Sequence, residues 1–450
     1  MTGFLLLAAS AAVICTLTYA LGMYLESAVA PLHPARPPAG SLFFVFLIPC
    51  LDEEEVLTGT LDRLTALPLQ DSLVLVIDDG STDATADIAA SYPDARVRVL
   101  QRSLPDARRG KGAALNAAVE HLLARELRDR SPDRVVIGLL DADGRLDPHT
   151  IEAVTPFFAD PRVGGVQVGV RIDNRREGLL TRLQDMEFVT YASIFQVAHN
   201  RLGIAGLGGN GQFTRLAALL SLGRAPWSDV LTEDLDLGVR MQSAGWSTLH
   251  CATAAVHQQG LTSLRRLVRQ RSRWFQGNLQ AWRLVPQVLR HSSGRAAAET
   301  LHTLLMPVLI LVSSLMVLSL AASVVGLAAS PLARAQLLQW QVVLSWYLLT
   351  FLPGVLFAHV YWRRGDRISR RRAVLHGHAF VVYGLLWMAA GWWAVLRVLR
   401  GHRSWFKTER LPDRARSVRP ALVPDGVVSP GSDTEPRPAA GGRGAWTGAR

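Results

Sequence analysis

Apolar and charged positions divide the chain into four long apolar stretches and one segment of mixed character. The apolar stretches cover residues 4–25, 301–333, 335–362 and 373–396, and they contain no Asp, Glu, Lys or Arg. Each reaches the ~20 apolar residues that a helix needs to cross a bilayer. We therefore predict an N-terminal transmembrane helix within 1–26 and a C-terminal region of about three transmembrane helices within 301–400.

A cleaved secretory signal is the alternative for the first stretch. Such signals carry a basic segment before the apolar run and small residues at the cleavage site. Because neither feature is clear in this sequence, we favour a retained helix.

The mixed segment, 41–290, alternates short apolar runs with amphipathic stretches. Continuous apolar runs predict buried strands, and apolar positions at helical spacing predict helices. The predicted strands are 41–49, 73–77, 97–100 and 135–140, and the predicted helices are 52–67, 81–90, capped by Ser81 or Thr82, and 112–127. This alternation is typical of an α/β domain with a mostly parallel sheet and helices on both faces.

Acidic residues follow three of the predicted strands. They are Asp52 with Glu53, Asp78 with Asp79, and Asp141 with Asp143. Because ligands of such sheets bind at the carboxyl ends of the strands, we expect these residues to form one site.

Asp141 and Asp143 are separated by one residue, so both carboxylates can face the same ligand. Their mutual repulsion favours a bound cation, and Mg²⁺ or Mn²⁺ accepts one or two carboxylates together with diphosphate oxygens. A solvated turn is the alternative, since Asp and Gly are common in turns. We predict a divalent metal site at Asp143 and Asp141.

Two further motifs favour nucleotide binding. Asp79, next to Asp78, can accept hydrogen bonds from a base or a ribose, although capping of the next helix is an alternative. Lys111 stands between two glycines before a helix, where backbone N–H groups and the helix dipole favour phosphate. Lysine is rare here, with two among 48 basic residues, so Lys111 occupies a place for which arginine is a poor substitute.

Two motifs later in the segment are further site candidates. Asp234 follows Thr232 and Glu233, and a helix start capped by Thr232 accounts for its neighbours but does not exclude Asp234 as a general base. Gln270, Arg273 and Trp274 share one helix face. Their groups can stack on a sugar and donate to a diphosphate, but this motif taken alone favours a helix lying on lipid.

The net charge of +11 does not indicate nucleic-acid binding, because the arginines cluster beside the apolar stretches. Six of them lie in 363–372, which is the positive-inside pattern of a cytoplasmic loop. Seven more lie in 264–290, where they can meet anionic lipid or diphosphate. The three cysteines suggest no disulfide framework, and the Pro-, Gly- and Arg-rich tail, 411–450, is predicted to be disordered.

In this order the motifs resemble the processive family 2 glycosyltransferases, which include cellulose, chitin, hyaluronan and poly-N-acetylglucosamine synthases. The resemblance rests on Asp78-Asp79-Gly80, Asp141-Ala142-Asp143, Thr232-Glu233-Asp234 and Gln270-Arg271-Ser272-Arg273-Trp274. It covers about 43–274 and the flanking apolar stretches. The family's usual Asn before Glu is replaced by Asp52, which is a departure.

The resemblance implies a GT-A fold and a role for each motif. Glu53, Asp79 and Lys111 would contact the donor nucleotide with Asp141 and Asp143, Asp234 would be the base, and Gln270, Arg273, Trp274, Glu233 and Asn210 would bind acceptor and diphosphate. Gly208-Gly209-Asn210-Gly211 resembles the acceptor entrance, and Trp405-Phe406-Lys407-Thr408 resembles a closing motif.

The expected function is inverting transfer of a hexose or N-acetylhexosamine from a UDP-sugar to a growing β-linked polysaccharide. Transfer of one sugar to a membrane lipid, as in ceramide glucosyltransferases, is the alternative. A transporter or scaffold is a weaker alternative, because the apolar stretches lack charged residues of the kind that mark substrate pathways.

We expect a multi-pass plasma-membrane protein with its catalytic domain in the cytoplasm. Four crossings would place the arginines after residue 399 outside, against the positive-inside rule. One apolar stretch could therefore be interfacial or re-entrant.

Overall fold

The structure is a computed structural model, and it describes residues 2–29, 41–67, 69, 71–366 and 368–401. The predicted disordered tail, 411–450, and the motif at Trp405 to Thr408 lie outside the described residues.

An eight-stranded sheet forms the centre of the molecule, in the order β3-β2-β1-β4-β7-β6-β8-β5. The strands are β1 (Phe43–Cys50), β2 (Ser72–Asp78), β3 (Val97–Gln101), β4 (Val135–Leu139), β5 (Arg145–Leu146), β6 (Val163–Ile172), β7 (Gln212–Arg215) and β8 (Ser247–Gln258). The first four are parallel, as are β6 and β8, whereas β7 is antiparallel to both neighbours and β5 to β8. The prediction of a mostly parallel sheet is confirmed.

The segment between the first and second apolar stretches contains ten α-helices in the described residues. They are α2 (Leu57–Thr65), α3 (Thr85–Ala90), α4 (Lys111–Ala124), α5 (Thr150–Val154), α6 (Leu179–Tyr191), α7 (Val197–His199), α8 (Leu216–Ser221), α9 (Glu233–Ser243), α10 (Leu264–Gln280) and α11 (Val285–His291). A π-helical turn, Ala192–Gln196, joins α6 to α7.

The predicted cap of one helix is wrong, and the possible cap of another forms no hydrogen bond. Helix α3 begins after Ala84 rather than after Ser81 or Thr82, and Ala84 makes no side-chain cap. The Ser81 hydroxyl accepts from the Asp52 N–H at 3.0 Å, so this turn joins the first two strand ends instead of starting a helix. Thr232 occupies the N-cap position of α9 without a capping hydrogen bond.

Helices cover both faces of the sheet because the central strands are apolar on both sides. On β1, Phe46 and Ile48 pack with α2 and α3, and Val45 and Leu47 pack with α4 and α8. Their complete burial fixes the strand ends, and with them the acidic residues that follow.

Five further helices belong to the apolar stretches. They are α1 (Thr2–Val29), α12 (Gly294–Ala328), α13 (Pro331–Leu337), α14 (Trp340–Arg364) and α15 (Arg370–Leu399). Within the described residues, Gly294–Gly326, Trp340–Arg364 and Arg370–Leu399 are long and apolar enough to cross a membrane, and the apolar part Ile14–Val29 of α1 is shorter. The crossing by α1 and the domain bounds 1–26, 41–290 and 301–400 stay predictions.

An ion cluster attaches the loop between α14 and α15 to the sheet. Asp366 in this loop accepts from Arg175 at 3.0 Å and pairs with Arg171 at 3.3 Å and with Arg182. Asp185, fully buried on α6, pairs with Arg171 at 3.1 Å. The loop between α14 and α15 is rich in arginine, but it contacts the segment 41–290 through an acidic residue, Asp366.

Candidate active site

The first strand end forms a turn that aligns two of the acidic motifs. Asp52 has a φ of 52°, in the left-handed region that Asp and Asn tolerate better than other side chains. Its carboxylate accepts from the N–H of Thr82 at 2.7 Å, and the N–H of Glu53 donates to the Thr85 hydroxyl at 2.8 Å. Asn would accept the same bond, so Asp52 preserves the geometry despite departing from the family pattern.

Asp79 lies at the end of β2, is 8% exposed and pairs with Arg102. Burial raises the pKa of Asp79, and the charge of Arg102 opposes this shift. Its neighbour Asp78 accepts from the Ser81 N–H at 2.9 Å, so it stabilises the turn. Of the two acids, Asp79 fits the predicted nucleoside contact better.

Lys111 crosses from the start of α4 to the end of β4. Its ammonium donates to Asp141 at 2.7 Å and to the carbonyl of Gly209 at 2.6 Å. Gly110 before it has a φ of 100°, and a Cβ at Gly112 would lie 2.3 Å from the Ser228 carbonyl oxygen. Both glycines are needed for this approach, and they place the lysine between the acidic strand end and the chain at 208–211.

The loop at 208–211 is attached to the sheet by amides. Asn210 accepts from the Asp141 N–H at 3.1 Å and donates to Gln258 at 3.0 Å. Gln167 on β6 accepts from the Gly208 N–H and donates to the Asn210 carbonyl, both at 2.8 Å. Asn210 thus holds neighbouring elements in place, and its contact with an acceptor stays a prediction.

Glu233 and Asp234 open α9 beside the same loop. A Cβ at Gly209 would lie 3.3 Å from Asp234 Oδ2 and 3.8 Å from Glu233 Oε1, so glycine leaves room for both carboxylates. Burial and then the charge of Asp234 raise the pKa of Glu233 to about 7. Burial also raises the pKa of Asp234, and Lys111 opposes both shifts. The acid pair therefore lies close to Lys111 and favours proton uptake near neutral pH.

Helix α10 packs directly on the segment before this pair. A Cβ at Gly277 would lie 2.5 Å from a Thr232 side-chain atom, and Gln280 accepts from the Leu231 N–H at 2.9 Å. Arg273, on the same helix, is near enough for its charge to lower the pKa of Glu233. Arg273 is thereby brought near the acidic site, whereas contacts of Gln270 and Trp274 with that site stay predictions.

Trp274 stands on the side of α10 that faces α15. Its ring lies 6.4 Å from the ring of Trp387 and 6.2 Å from the ring of Phe188. The guanidinium of Arg271 lies 4.1 Å from the Trp274 ring centroid, and it also donates to Gln270 at 3.2 Å. Trp274 is half-buried, so one part of the indole remains available to a ligand.

The described residues contain no group of three or more His, Cys, Asp or Glu that could hold a metal alone. Asp141 and Asp143 on one turn are the donor set that fits a cation whose other ligands are diphosphate oxygens and water. Asp143 is 8% exposed and accepts from the Gln259 N–H at 3.4 Å, which directs it to the strand edge.

The sequence model of a family described as "Glycosyltransferase like family 2" matches residues 39–277, more than half of the chain. The chain belongs to glycosyltransferase family 2. The matched residues contain every predicted site residue of this family 2 domain, from Glu53 to Trp274.

Curated relatives include both lipid and polysaccharide enzymes. The β-monoglucosyldiacylglycerol synthase of Nostoc sp. is 34% identical over 59% of this chain and 56% of its own. The poly-β-1,6-N-acetyl-D-glucosamine synthase of Staphylococcus aureus is 28% identical over 52% of this chain and 53% of its own. The chain spans about half the length of the curated relatives it matches.

A solved structure confirms the fold. The mannosyltransferase PcManGT of Pyrobaculum calidifontis, in complex with GDP-mannose and Mn²⁺, aligns with a TM-score of 0.57 at 18% identity. The alignment covers 86% of this chain and 99% of that one. The family 2 domain therefore has the GT-A fold.

Several site residues of the family 2 domain were not predicted from sequence. Arg102, Gln167, Glu187 and Arg271 contact Asp79, the 208–211 loop and the surroundings of Trp274. The sequence offered one signal, the position of Arg271 inside the Gln270 to Trp274 motif. The others lie 23 to 84 residues from their partners, and no local pattern indicates such a contact.

Proposed function

We propose that the protein transfers one hexose from a nucleotide-sugar donor to a membrane lipid of the diacylglycerol kind. The main supporting observation is the position of Trp274, which contacts α15, a helix apolar and long enough to cross a membrane. An acceptor bound at Trp274 would arrive along an apolar surface. The β-monoglucosyldiacylglycerol synthases, at up to 34% identity, support the same acceptor class.

The chemistry follows from the residues at the strand edge. Asp234 takes the proton of the acceptor hydroxyl while that oxygen attacks the anomeric carbon and the bond to the diphosphate breaks. Burial raises the pKa of Asp234 above its ordinary value, which makes its carboxylate a better proton acceptor. A single displacement inverts the centre, so an α-linked donor gives a β-glycoside, and Arg273 lies near enough to neutralise the departing diphosphate.

The other site residues bind the donor in this proposal. Asp79 and Glu53 contact the nucleoside, and Lys111 and Asp141 lie on the diphosphate side. Asp141 and Asp143 would hold Mg²⁺ or Mn²⁺, which stabilises negative charge on the leaving diphosphate. We take UDP-glucose as the first donor to test, and Gln270 and Glu233 as further acceptor or diphosphate contacts.

Polysaccharide synthesis is the second candidate. The similarity to the poly-β-1,6-N-acetyl-D-glucosamine synthase, which is 28% identical over 52% of this chain, supports it. Both candidates use the same displacement, and they differ in whether the product stays bound and becomes the next acceptor.

We also propose that the catalytic segment lies on the cytoplasmic side of the plasma membrane. The arginine-rich loop between α14 and α15 contacts that segment through Asp366, so both lie on the same side of the membrane. The positive-inside rule assigns such a loop to the cytoplasm.

The experiment is incubation of membranes that contain the protein with radiolabelled UDP-glucose or UDP-N-acetylglucosamine, with and without added dioleoylglycerol. A single glycolipid band that depends on dioleoylglycerol is the expected result. A ladder of long chains without added lipid would replace this proposal with polysaccharide synthesis, and membranes with Asp234→Asn are the control for background enzymes.

A further inference from the structure

A buried charge lies behind the indole of Trp274. Arg271 is 1% exposed, and its guanidinium lies 4.1 Å from the centroid of Trp274, 5.3 Å from that of Trp387 and 5.7 Å from that of Phe188. A guanidinium within about 6 Å of a ring is attracted by the negative face of that ring. Arg271 therefore packs against the Trp274 ring with a buried charge.

Glu187 on α6 holds Arg271 in turn. Its Oε2 accepts from the guanidinium at 2.7 Å and from the Tyr383 hydroxyl at 2.5 Å, and its Oε1 accepts from the Trp387 indole at 2.9 Å. Two of these three donors belong to α15. The Glu187 carboxylate thus links α15 to α10, the helix that contains Trp274.

Burying the charge of Arg271 is costly even with Glu187 as its partner. Replacing a buried ion pair by apolar side chains is often neutral or stabilising, so stability alone explains Glu187 and Arg271 poorly. Helices α10 and α15 also make close apolar contact, since a Cβ at Gly391 would lie 2.8 Å from the ring of Phe275. That packing already joins the two helices, so the charges serve another purpose.

We infer that four side chains hold Trp274 in the orientation in which it binds the acceptor: Glu187, Arg271, Tyr383 and Trp387. Because two of these positioning residues belong to α15, this helix is part of the acceptor site. The inference rests on the proposed binding of the acceptor at Trp274. With Tyr383 and Trp387 in place, Glu187 has one orientation, Arg271 lies flat under the indole, and the indole presents one face to the acceptor. Without them the ring can tilt, and the acceptor binds more weakly while the donor side is unaffected.

The test uses two substitutions that each remove a hydrogen bond to Glu187 and keep an aromatic side chain, Tyr383→Phe and Trp387→Phe; Tyr383→Phe also removes the acceptor of an Arg271 N–H. Each has a matched control on α14 or α15. Tyr347→Phe removes a bond to His378, and Trp392→Phe removes a bond to Ser314. Full-length variants are assayed in mixed micelles with UDP-glucose and dioleoylglycerol, and UDP-glucose hydrolysis without lipid reports the donor side.

We expect Tyr383→Phe and Trp387→Phe each to raise the KM for dioleoylglycerol about tenfold, the effect of losing one hydrogen bond to a charged group. The KM for UDP-glucose and the hydrolysis rate should stay within about twofold of wild type, as should all values for the two controls. Equal changes in the test and control variants, or an equal loss of hydrolysis, would overturn the inference.

Trp274→Ala separates this inference from the function on which it rests. If Trp274→Ala leaves the KM for dioleoylglycerol unchanged, the proposed acceptor position is wrong. If Trp274→Ala raises this KM and neither hydrogen-bond variant does, the acceptor position stands and the positioning role is refuted.

Discussion

Two acidic clusters of this protein have opposite electrostatics. At the strand edge, Glu233 and Asp234 are half-buried near the cations Lys111 and Arg273, and their pKa values are still raised. In the loop between α14 and α15, burial raises the pKa of Asp366, but the hydrogen bonds and charges of Arg175, Arg182 and Arg171 outweigh it and hold the pKa at about 2. Burial acts in the same direction at both places, so the cations decide the outcome.

The balance of charge separates a reactive cluster from a structural one. Lys111 is near three carboxylates, those of Asp141, Glu233 and Asp234, which leaves an excess of negative charge at the strand edge. Asp366 and Asp185 share three guanidiniums, so the loop cluster has no excess of negative charge. The edge cluster therefore favours an additional cation or proton, and the loop cluster requires neither.

The largest expected effect is that of Asp234→Asn on transfer. The amide cannot accept the proton, so kcat should fall about 100- to 10,000-fold, the usual contribution of a general base. Binding of UDP, measured by calorimetry, should persist because Asp234 lies on the acceptor side. Asp229→Asn, at a side chain that is 92% exposed in the same acidic segment, is the control and should retain full activity. Turnover of Asp234→Asn near the wild-type rate would falsify the assignment of the base.

The second expected effect is on the pH dependence of transfer. Glu233 has a pKa of about 7, so the acid pair holds a proton at lower pH and the rate should rise with pH up to about that value. Glu233→Gln removes a neighbouring negative charge and should move this rise to lower pH, as measured by kcat/KM profiles. A profile unchanged by Glu233→Gln would show that another group titrates.

The third expected effect concerns the loop cluster. Asp366→Asn leaves the surrounding guanidiniums without their shared carboxylate and should lower the free energy of unfolding by about 2 kcal/mol. The pKa of Asp366 is lowered, so its contribution is complete above the unfolded value of about 4 and fades as the pH falls toward 2.

Thermal unfolding in detergent micelles measures this difference between pH 7 and pH 3. Asp160→Asn is the control, since Asp160 pairs with Arg162 at 2.9 Å on the surface and should change little. A difference for Asp366→Asn that grows as the pH falls would contradict the assigned charge state.

The smallest expected effect is that of Asp52→Asn. Asn adopts the same left-handed backbone and can accept the hydrogen bond from the Thr82 N–H, so activity should change less than about twofold. Asp52→Ala loses that bond and strains the turn, so initial rates should separate the two variants. Equal losses in both would assign Asp52 a role that depends on its charge.

The half of the sheet that contains β1 to β4 was predictable from the sequence, and the other half was not. Strands β1, β2 and β4 are short runs of apolar residues that end at acids, a local pattern that also located Asp79, Asp141 and Asp143. Strand β8 includes His250, Thr253 and His257 among its apolar residues, and it pairs with β6, some 80 residues earlier. Such pairings depend on tertiary contacts, which no local period encodes.

The same limit applied to the site. The Gln270, Arg273 and Trp274 face was visible at helical spacing, but the partners of Arg271 were not. Glu187 lies 84 residues before Arg271, and Tyr383 lies 112 residues after it. The sequence therefore indicated the residues that are proposed to touch substrates better than the residues that pack around them.

The hydroxyl of Tyr361, near the end of α14, donates to the fully buried carboxylate of Asp185 at 2.7 Å. A fragment truncated after residue 290 would lose this donor together with Asp366, Tyr383 and Trp387, and would present bare guanidiniums and carboxylates where apolar helices had covered them. Soluble expression of the catalytic segment by itself is thus a poor route to crystals or assays. The helices of the apolar stretches therefore supply partners for buried polar groups of the enzyme, in addition to any role in membrane attachment.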